Sequence, residues 1–237
     1  MKILAIDSSG LVATIAILEE DNMLAEYTLN YKKTHSQTLL PMLDEIVRRM
    51  DFDINTIDAI AVAAGPGSFT GLRIGSATAK GLGLALDKPI IPVPTVDGIA
   101  YNMCGTSGVI CPLMDARRNQ TYTGLYTFDG DQMKCIFGQK AVMLGEIIDE
   151  INQLGRKVIF LGDGVPVFKS YIEEHIQVPY SYAPIHLNQQ RAGALGALAL
   201  QYYHEGKYES AAEHQPDYLR LSQAERELAA RKGQEKA

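Results

Sequence analysis

Three strand-forming runs, then a helix, a strand and a helix, occur twice in this chain, and that order restricts the fold more than any single residue does. "KILAID" and "LVATIAIL" are β-rich and separated by Ser8-Ser9-Gly10, a hairpin signal. "MLAEYTL" adds a third strand after Glu-Glu-Asp-Asn. From His35 to Met50 the apolar residues Leu39, Leu40, Leu43, Ile46, Val47 and Met50 fall at helical spacing. "AIAVAA" at 59–64 is a continuous apolar run, as a buried parallel strand requires. A helix is expected over Thr70–Leu86 and a short strand at "PIIPV", 89–93. After Gly105 the order restarts with "VICPLMDA", "QTYTGLYTF" and a weaker "QMKCIFG". Helical "GEIIDEIN", the strand "KVIFLGDG" and helical "PVFKSYIEEH" follow. Two α/β lobes of βββαβα type facing each other are the expectation. Their expected bounds are 1–104 and 105–215, with a last helix near 192–204 and a charged, frayed end over 216–237.

Composition narrows what such a pair of lobes can do. The chain has 237 residues, 46% of them hydrophobic, enough for packed cores. Its net charge of −6, with no basic run longer than a pair such as Arg117-Arg118, argues against direct nucleic-acid binding, which needs clustered lysine and arginine. Three cysteines, Cys104, Cys111 and Cys135, suit neither a disulfide framework nor a cysteine-based zinc site. Neither a leader nor a membrane-spanning run is read, so a cytoplasmic chain without membrane contact is expected.

The segment "AGPGSFTGLRIG" invites comparison with phosphate loops. A Walker loop needs a lysine that is missing here, and Gly65-Pro66-Gly67 is followed by Ser68, Phe69 and Thr70, so the last glycine of a dinucleotide fingerprint is absent too. The turn reads as a tight strand-to-helix connection with Thr70 near the helix cap. In the helix, Gly75, Ala79 and Gly83 lie four apart on one face, where small residues admit a second backbone. The residues alone leave two readings: packing within this chain, or a helix-on-helix contact with another subunit. Asp7-Ser8-Ser9-Gly10 and Asp115-Ala116-Arg117-Arg118-Asn119 end the first strand of each lobe, and Gly162-Asp163-Gly164 ends a later one. All three read as ordinary turns or as the walls of a nucleotide cleft. The five histidines are scattered without ligand spacing, and no G-x-S-x-G nucleophile motif occurs.

"ILAIDSS", "HSQTLLPML", "AVAAGPGSFTGLRIG", "MDARRNQTY" and "PDYLR" together resemble the TsaB family, also called YeaZ, in order and over nearly the whole chain. The resemblance implies the actin-like, Hsp70-like ATPase fold (the ASKHA, ribonuclease H-like group) and a part in making N6-threonylcarbamoyladenosine at position 37 of tRNA. It implies a supporting partner of the catalytic subunit TsaD, joined by the small ATPase TsaE, which pairs with TsaD or with itself through two helices. The expected interface residues are Leu39, Met42, Leu43, Ile46, Gly75, Ala79 and Gly83. A vestigial nucleotide cleft would comprise Asp7, Ser8, Ser9, Asp115, Arg117, Gly162 and Gly164. TsaD-like enzymes bind metal with a His-x-x-x-His pair; the matching positions here are Thr95 and Ile99, so no metal site and no catalytic residue are expected. No cofactor is assigned to this chain; ATP and Mg²⁺ are left to the complex, as is contact with tRNA. Two rivals stand beside this reading. One is an actin-like ATPase or kinase acting alone through Asp7 and Gly162–Gly164; the other is a peptidase.

Overall fold

The computed structural model describes residues 1–31 and 34–219. The first lobe contains β1 (Lys2–Asp7), β2 (Ala13–Glu19), β3 (Asn22–Leu29), α1 (His35–Met50), β4 (Ala59–Gly65), α2 (Phe69–Leu86), β5 (Ile90–Pro94) and α3 (Thr95–Tyr101). The second contains β6 (Val109–Asp115), β7 (Gln120–Asp129), β8 (Gln132–Met143), α4 (Leu144–Leu154), β9 (Val158–Leu161), α5 (Val165–His175) and β10 (Tyr180–Tyr182), after which α6 (Ala192–His204) follows. The two sheets run β3-β2-β1-β4-β5 and β10-β9-β6-β7-β8, one strand order used twice. In each, three antiparallel strands joined by hairpins are extended by two parallel strands reached through helices. This is the actin-like ATPase architecture. Two elements were not expected: α3 closes the first unit and β10 extends the second sheet.

β1 shows why the first lobe is layered on both sides. Its alternation sends Leu4 and Ile6 to one face and Ile3 and Ala5 to the other. The Leu4/Ile6 face meets Leu39, Met42, Leu43 and Ile46 of α1 and Ala79 of α2. The Ile3/Ala5 face is covered by Leu195, Leu198 and Ala199 of α6. Here the expected division is corrected: α6 follows the second lobe in sequence but belongs to the core of the first. Gly196 permits this, since a Cβ there would stand 3.1 Å from that of Ala5 and overlap Leu18.

The chain then stays on the first lobe. Glu209 bridges Ile90 of β5 in antiparallel fashion, Lys80 of α2 donates to the carbonyls of Ala212 (2.9 Å) and His214 (2.8 Å), and Asp217 N donates to Ala64 O at 2.7 Å. Residues 209–219 are therefore a strap running the length of α2. Of the end expected to fray, 220–237 lies outside the described residues. Among the described residues no helix is long and apolar enough to cross a membrane.

Candidate functional site at the junction of the lobes

The glycine-rich turn seats α2 on the β1–β2 hairpin. A Cβ on Gly67 would overlap Ser9 O, and one on Gly71 would overlap Ser8 O. One on Gly75 would lie 2.5 Å from Ser8 Oγ. Ser8 Oγ donates to Gly71 O (2.9 Å) and Ser68 N donates to Ser9 O (2.6 Å), so the approach is made with bonds as well as space. The helix is capped by Ser68, whose hydroxyl accepts from Gly71 N at 3.3 Å, rather than by Thr70. Gly65, at φ +126°, has the one backbone conformation in this turn that an L side chain rarely adopts.

The second lobe repeats the position without the packing. Asp115 ends β6, and Arg117, Arg118 and Asn119 follow at φ 66°, 57° and 58°. Arg117 is largely exposed and reaches back to Asp115 at 3.5 Å. Gly162 and Gly164 leave room for Leu113 O of β6, to which Gly164 N donates at 2.8 Å. They serve strand packing.

Between the lobes lies a cleft of about 610 Å³. Ser9, Gly10, His35, Gly67 and Ser68 line it from the first lobe, Asp115, Arg117, Tyr122 and Asp163 from the second, and Asp217 and Tyr218 from the strap. Of the expected cleft residues, Ser9, Asp115 and Arg117 line it, whereas Asp7, Ser8, Gly162 and Gly164 stand behind its wall. An anion site at such a place needs free backbone N–H groups. Several of those here are used within the chain: Ser9 N donates to Asp7 Oδ1 (2.8 Å), Gly71 N to Ser68 Oγ, Leu72 N to Ser68 O, Asp115 N to Asp163 Oδ1 (3.3 Å), Ala116 N to Gln120 O and Arg117 N to Asp115 Oδ1 (2.8 Å).

Burial raises Asp7 from its ordinary 3.8 to about 6; the amide and hydroxyl of Ser9 and the His35 ring oppose that rise. Burial also raises Asp163, which the charge of Asp115 pushes further. Among the described residues no group of three or more histidine, cysteine, aspartate or glutamate side chains is placed to hold a metal ion. Thr95 and Ile99 lie buried on α3.

The seven residues expected at a partner interface do not form a surface. Leu39, Met42, Leu43, Ile46 and Ala79 are core, Gly75 faces Ser8, and a Cβ on Gly83 would stand 2.7 Å from that of Ala211 in the strap. α2 carries a second stripe of small residues, Ala77, Gly81 and Ala85, and this one is exposed together with Arg73, Leu84 and, on α1, Leu40 and Pro41. A Cβ at Gly81 would meet nothing within 4 Å among the described residues, so their packing does not require glycine there.

The strap ends at the cleft mouth. Tyr218 packs on Phe69 with ring centroids 4.7 Å apart, while the Arg73 guanidinium lies 4.0 Å over the Phe69 ring and its Nε donates to Tyr218 Oη at 3.3 Å. Tyr218 was marked only by the motif "PDYLR", and Phe69 and Arg73 only as members of "AGPGSFTGLRIG"; neither motif gave them this role. Behind the cleft the lobes are tied by Asp97 of α3, which accepts from Tyr126 Oη of β7 (2.6 Å) and Tyr202 Oη of α6 (3.1 Å).

Two lobes of one topology, joined across a cleft between their first hairpins, define a member of the actin-like ATPase class. The comparisons with known proteins place it more closely. A family model described as "TsaD: tRNA N6-adenosine threonylcarbamoyltransferase" matches residues 22–228. The chain is 36% identical to the tRNA threonylcarbamoyladenosine biosynthesis protein TsaB of Bacillus subtilis, over 95% of this chain and 96% of that protein. It is 29% identical to TsaB of Escherichia coli, over 96% and 98%. The solved structure of YeaZ from Pseudomonas aeruginosa superposes with a TM-score of 0.76 at 25% identity, covering 92% of this chain and 100% of that one. A second structure from that organism, described as an uncharacterized protein with similarity to peptidase YEAZ, gives 0.78 at 26% identity, covering 92% and 99%. The chain belongs to the TsaB (YeaZ) family, within the wider group that the TsaD family model describes, and its role lies in tRNA threonylcarbamoyladenosine biosynthesis.

Proposed function

We propose that this chain is a non-catalytic subunit that binds and positions a TsaD-like catalytic subunit, and that it does so with the outward face of α1 and α2. The observation that carries the reading is the exposed stripe Ala77, Gly81 and Ala85, edged by Leu84 and Leu40. Small residues let a second helix come close, and Gly in a helix interior costs ~1 kcal/mol relative to Ala. At Gly81 nothing among the described residues takes up the space gained, so a partner helix is what the glycine accommodates. The two hairpins support the non-catalytic half of the reading, because Ser9 N and Ala116 N, which follow them most closely, are bonded within the chain and not offered to nucleotide phosphates. In this reading a TsaE-like ATPase joins the pair in the cytoplasm, tRNA is met through the complex, and the same face pairs two copies when TsaD is absent.

Gly81→Arg and Ala77→Arg test the assignment. Each is expected to leave the thermal melt of the chain within a few degrees of the parent and to weaken capture of the TsaD-like subunit at least ~10-fold, or ~1.4 kcal/mol. Capture at parental strength by both variants would reject the face. Hydrolysis of Mg-ATP by the isolated chain, abolished by Asp7→Asn, would instead favour the lone ATPase.

A further inference from the structure

Behind the cleft, α3 stands between the two sheets, and its contacts are of two kinds. Val96, Ile99 and Ala100 pack with Ile110, Met114 and Tyr126 of the second lobe, while Tyr101 joins the core that α6 makes with the first sheet. Contacts of this kind are non-directional: they hold the lobes together but do not set the angle between them. Asp97 adds direction. Its Oδ1 accepts from Tyr126 Oη at 2.6 Å and its Oδ2 from Tyr202 Oη at 3.1 Å, so its two oxygens are committed to different lobes. Burial raises the Asp97 carboxyl above its ordinary value, and the two tyrosine bonds oppose that rise. β7 is shaped for this contact. A Cβ on Gly124 would stand 2.5 Å from Tyr126 Oη, so glycine, which weakens a strand interior, is what admits the hydroxyl. The pairing of β7 with β8 also shifts register between Thr123 and Leu125 and between Leu125 and Tyr126, an irregularity of the kind that re-aims a side chain.

We propose that Asp97 is a positioning residue that locks the angle between the lobes, with Tyr126 holding the second lobe to it and Tyr202 the first. Both hydroxyls reach the carboxylate in one arrangement of the lobes. Turning either lobe breaks a bond to a group that burial has largely removed from water, and a buried polar group left unpaired is costly. The apolar contacts of α3 offer no such penalty, so the angle is set by the three polar side chains. The lock fixes the width of the cleft on the opposite side, where Ser9 and Gly67 of one lobe face Asp115 and Arg117 of the other. It also fixes how the surface of the second lobe is aimed relative to α1 and α2, whatever partner those helices meet.

Double electron–electron resonance on the full chain tests this. Spin labels are placed at Ser36→Cys of α1 and Val167→Cys of α5, both exposed, in a background carrying Cys104→Ser and Cys135→Ser; Cys111 is fully buried and is kept. The interlobe distance distribution of this parent is expected to be narrow. Asp97→Asn offers an acceptor to one hydroxyl and a donor to the other, and is expected to leave the distribution narrow. Asp97→Val and Gly124→Ala, the latter displacing the Tyr126 hydroxyl, are expected to broaden it roughly twofold. The triple variant Asp97→Val/Tyr126→Phe/Tyr202→Phe removes every polar atom of the lock and guards against a failure of Asp97→Val to fold, because an apolar replacement of a whole buried polar cluster is often neutral for stability. It is expected to melt within a few degrees of the parent and still to show the broadened distribution, a split that a merely structural role for Asp97 would not produce. A parental distribution in the triple variant or in Gly124→Ala would overturn the inference. So would a broad distribution in the parent or in Asp97→Asn.

Discussion

The hairpin after β1 and the hairpin after β6 hold the same place in two copies of one topology, yet one is buried and the other is open. Ser8 and Ser9 are pressed between β1 and α2 by glycines at 67, 71 and 75, and Asp7 is sealed behind them. Arg117, Arg118 and Asn119 instead stand in solvent in left-handed conformations that Asp115 and the backbone hold in place. Duplication fixes where a loop begins and how its strand pairs. What the loop then does is set by the helix that follows the fourth strand of its lobe, and only the first lobe has small residues there.

The largest effect that could break this contrast is Gly71→Leu. A side chain at that position overlaps Ser8 O, which is backbone and cannot turn aside, and the substitution is expected to cost more than ~3 kcal/mol and to leave the chain largely unfolded in a urea titration. Next comes Asp7→Asn, which keeps an acceptor for Ser9 N. Below 3.8 Asp7 is protonated folded and unfolded, and its burial costs nothing; above about 6 it is ionised in both states and the cost is complete. The variant should therefore match the parent at pH 3.5 and exceed it by up to ~3 kcal/mol at pH 7, since a tenfold change in proton affinity between the two states corresponds to ~1.4 kcal/mol. Equal stability at both pH values would show that Asp7 is not held in a desolvated site. A smaller loss, ~1 kcal/mol, is expected from Tyr218→Ala, which removes the ring on Phe69, read as a shift in the denaturation midpoint. The smallest change belongs to the second hairpin: Arg118→Gly should stabilise by no more than ~1 kcal/mol, since glycine adopts the left-handed conformation without strain. A destabilisation above ~1 kcal/mol would mean that this hairpin is packed as tightly as the first.

The order of strands and helices along the chain and the hairpins were legible because alternation and turn residues are local signals. β1 shows two apolar faces within six residues, and no tertiary knowledge is needed to see that both must be covered. Which helix covers the second face was not legible. α6 is small and apolar all round, so its sequence fits either sheet, and its position after the second lobe pointed to the wrong one. The outward face of α2 was missed for a related reason. Two small-residue stripes run along this helix, and spacing alone cannot say which is turned inward. Gly83 faces the strap only because Ala211, 128 positions later, returns to it. The strap itself has no periodicity, and its tie to Arg73 spans 145 positions, so "PDYLR" was visible as a motif and silent about what it touches.

The return of α6 to the first sheet sets the order in which the molecule can be completed on the ribosome. All five strands of the first sheet are synthesised by residue 94, but the helix that covers its Ile3/Ala5 face begins at residue 192. At ~5–20 residues per second that interval lasts on the order of ten seconds. The second sheet, whose strands span residues 109–182, has its complete complement of strands and both covering helices before the first lobe does. The lobe encoded first is thus the lobe finished last, and its half-built sheet is what a nascent-chain chaperone would meet.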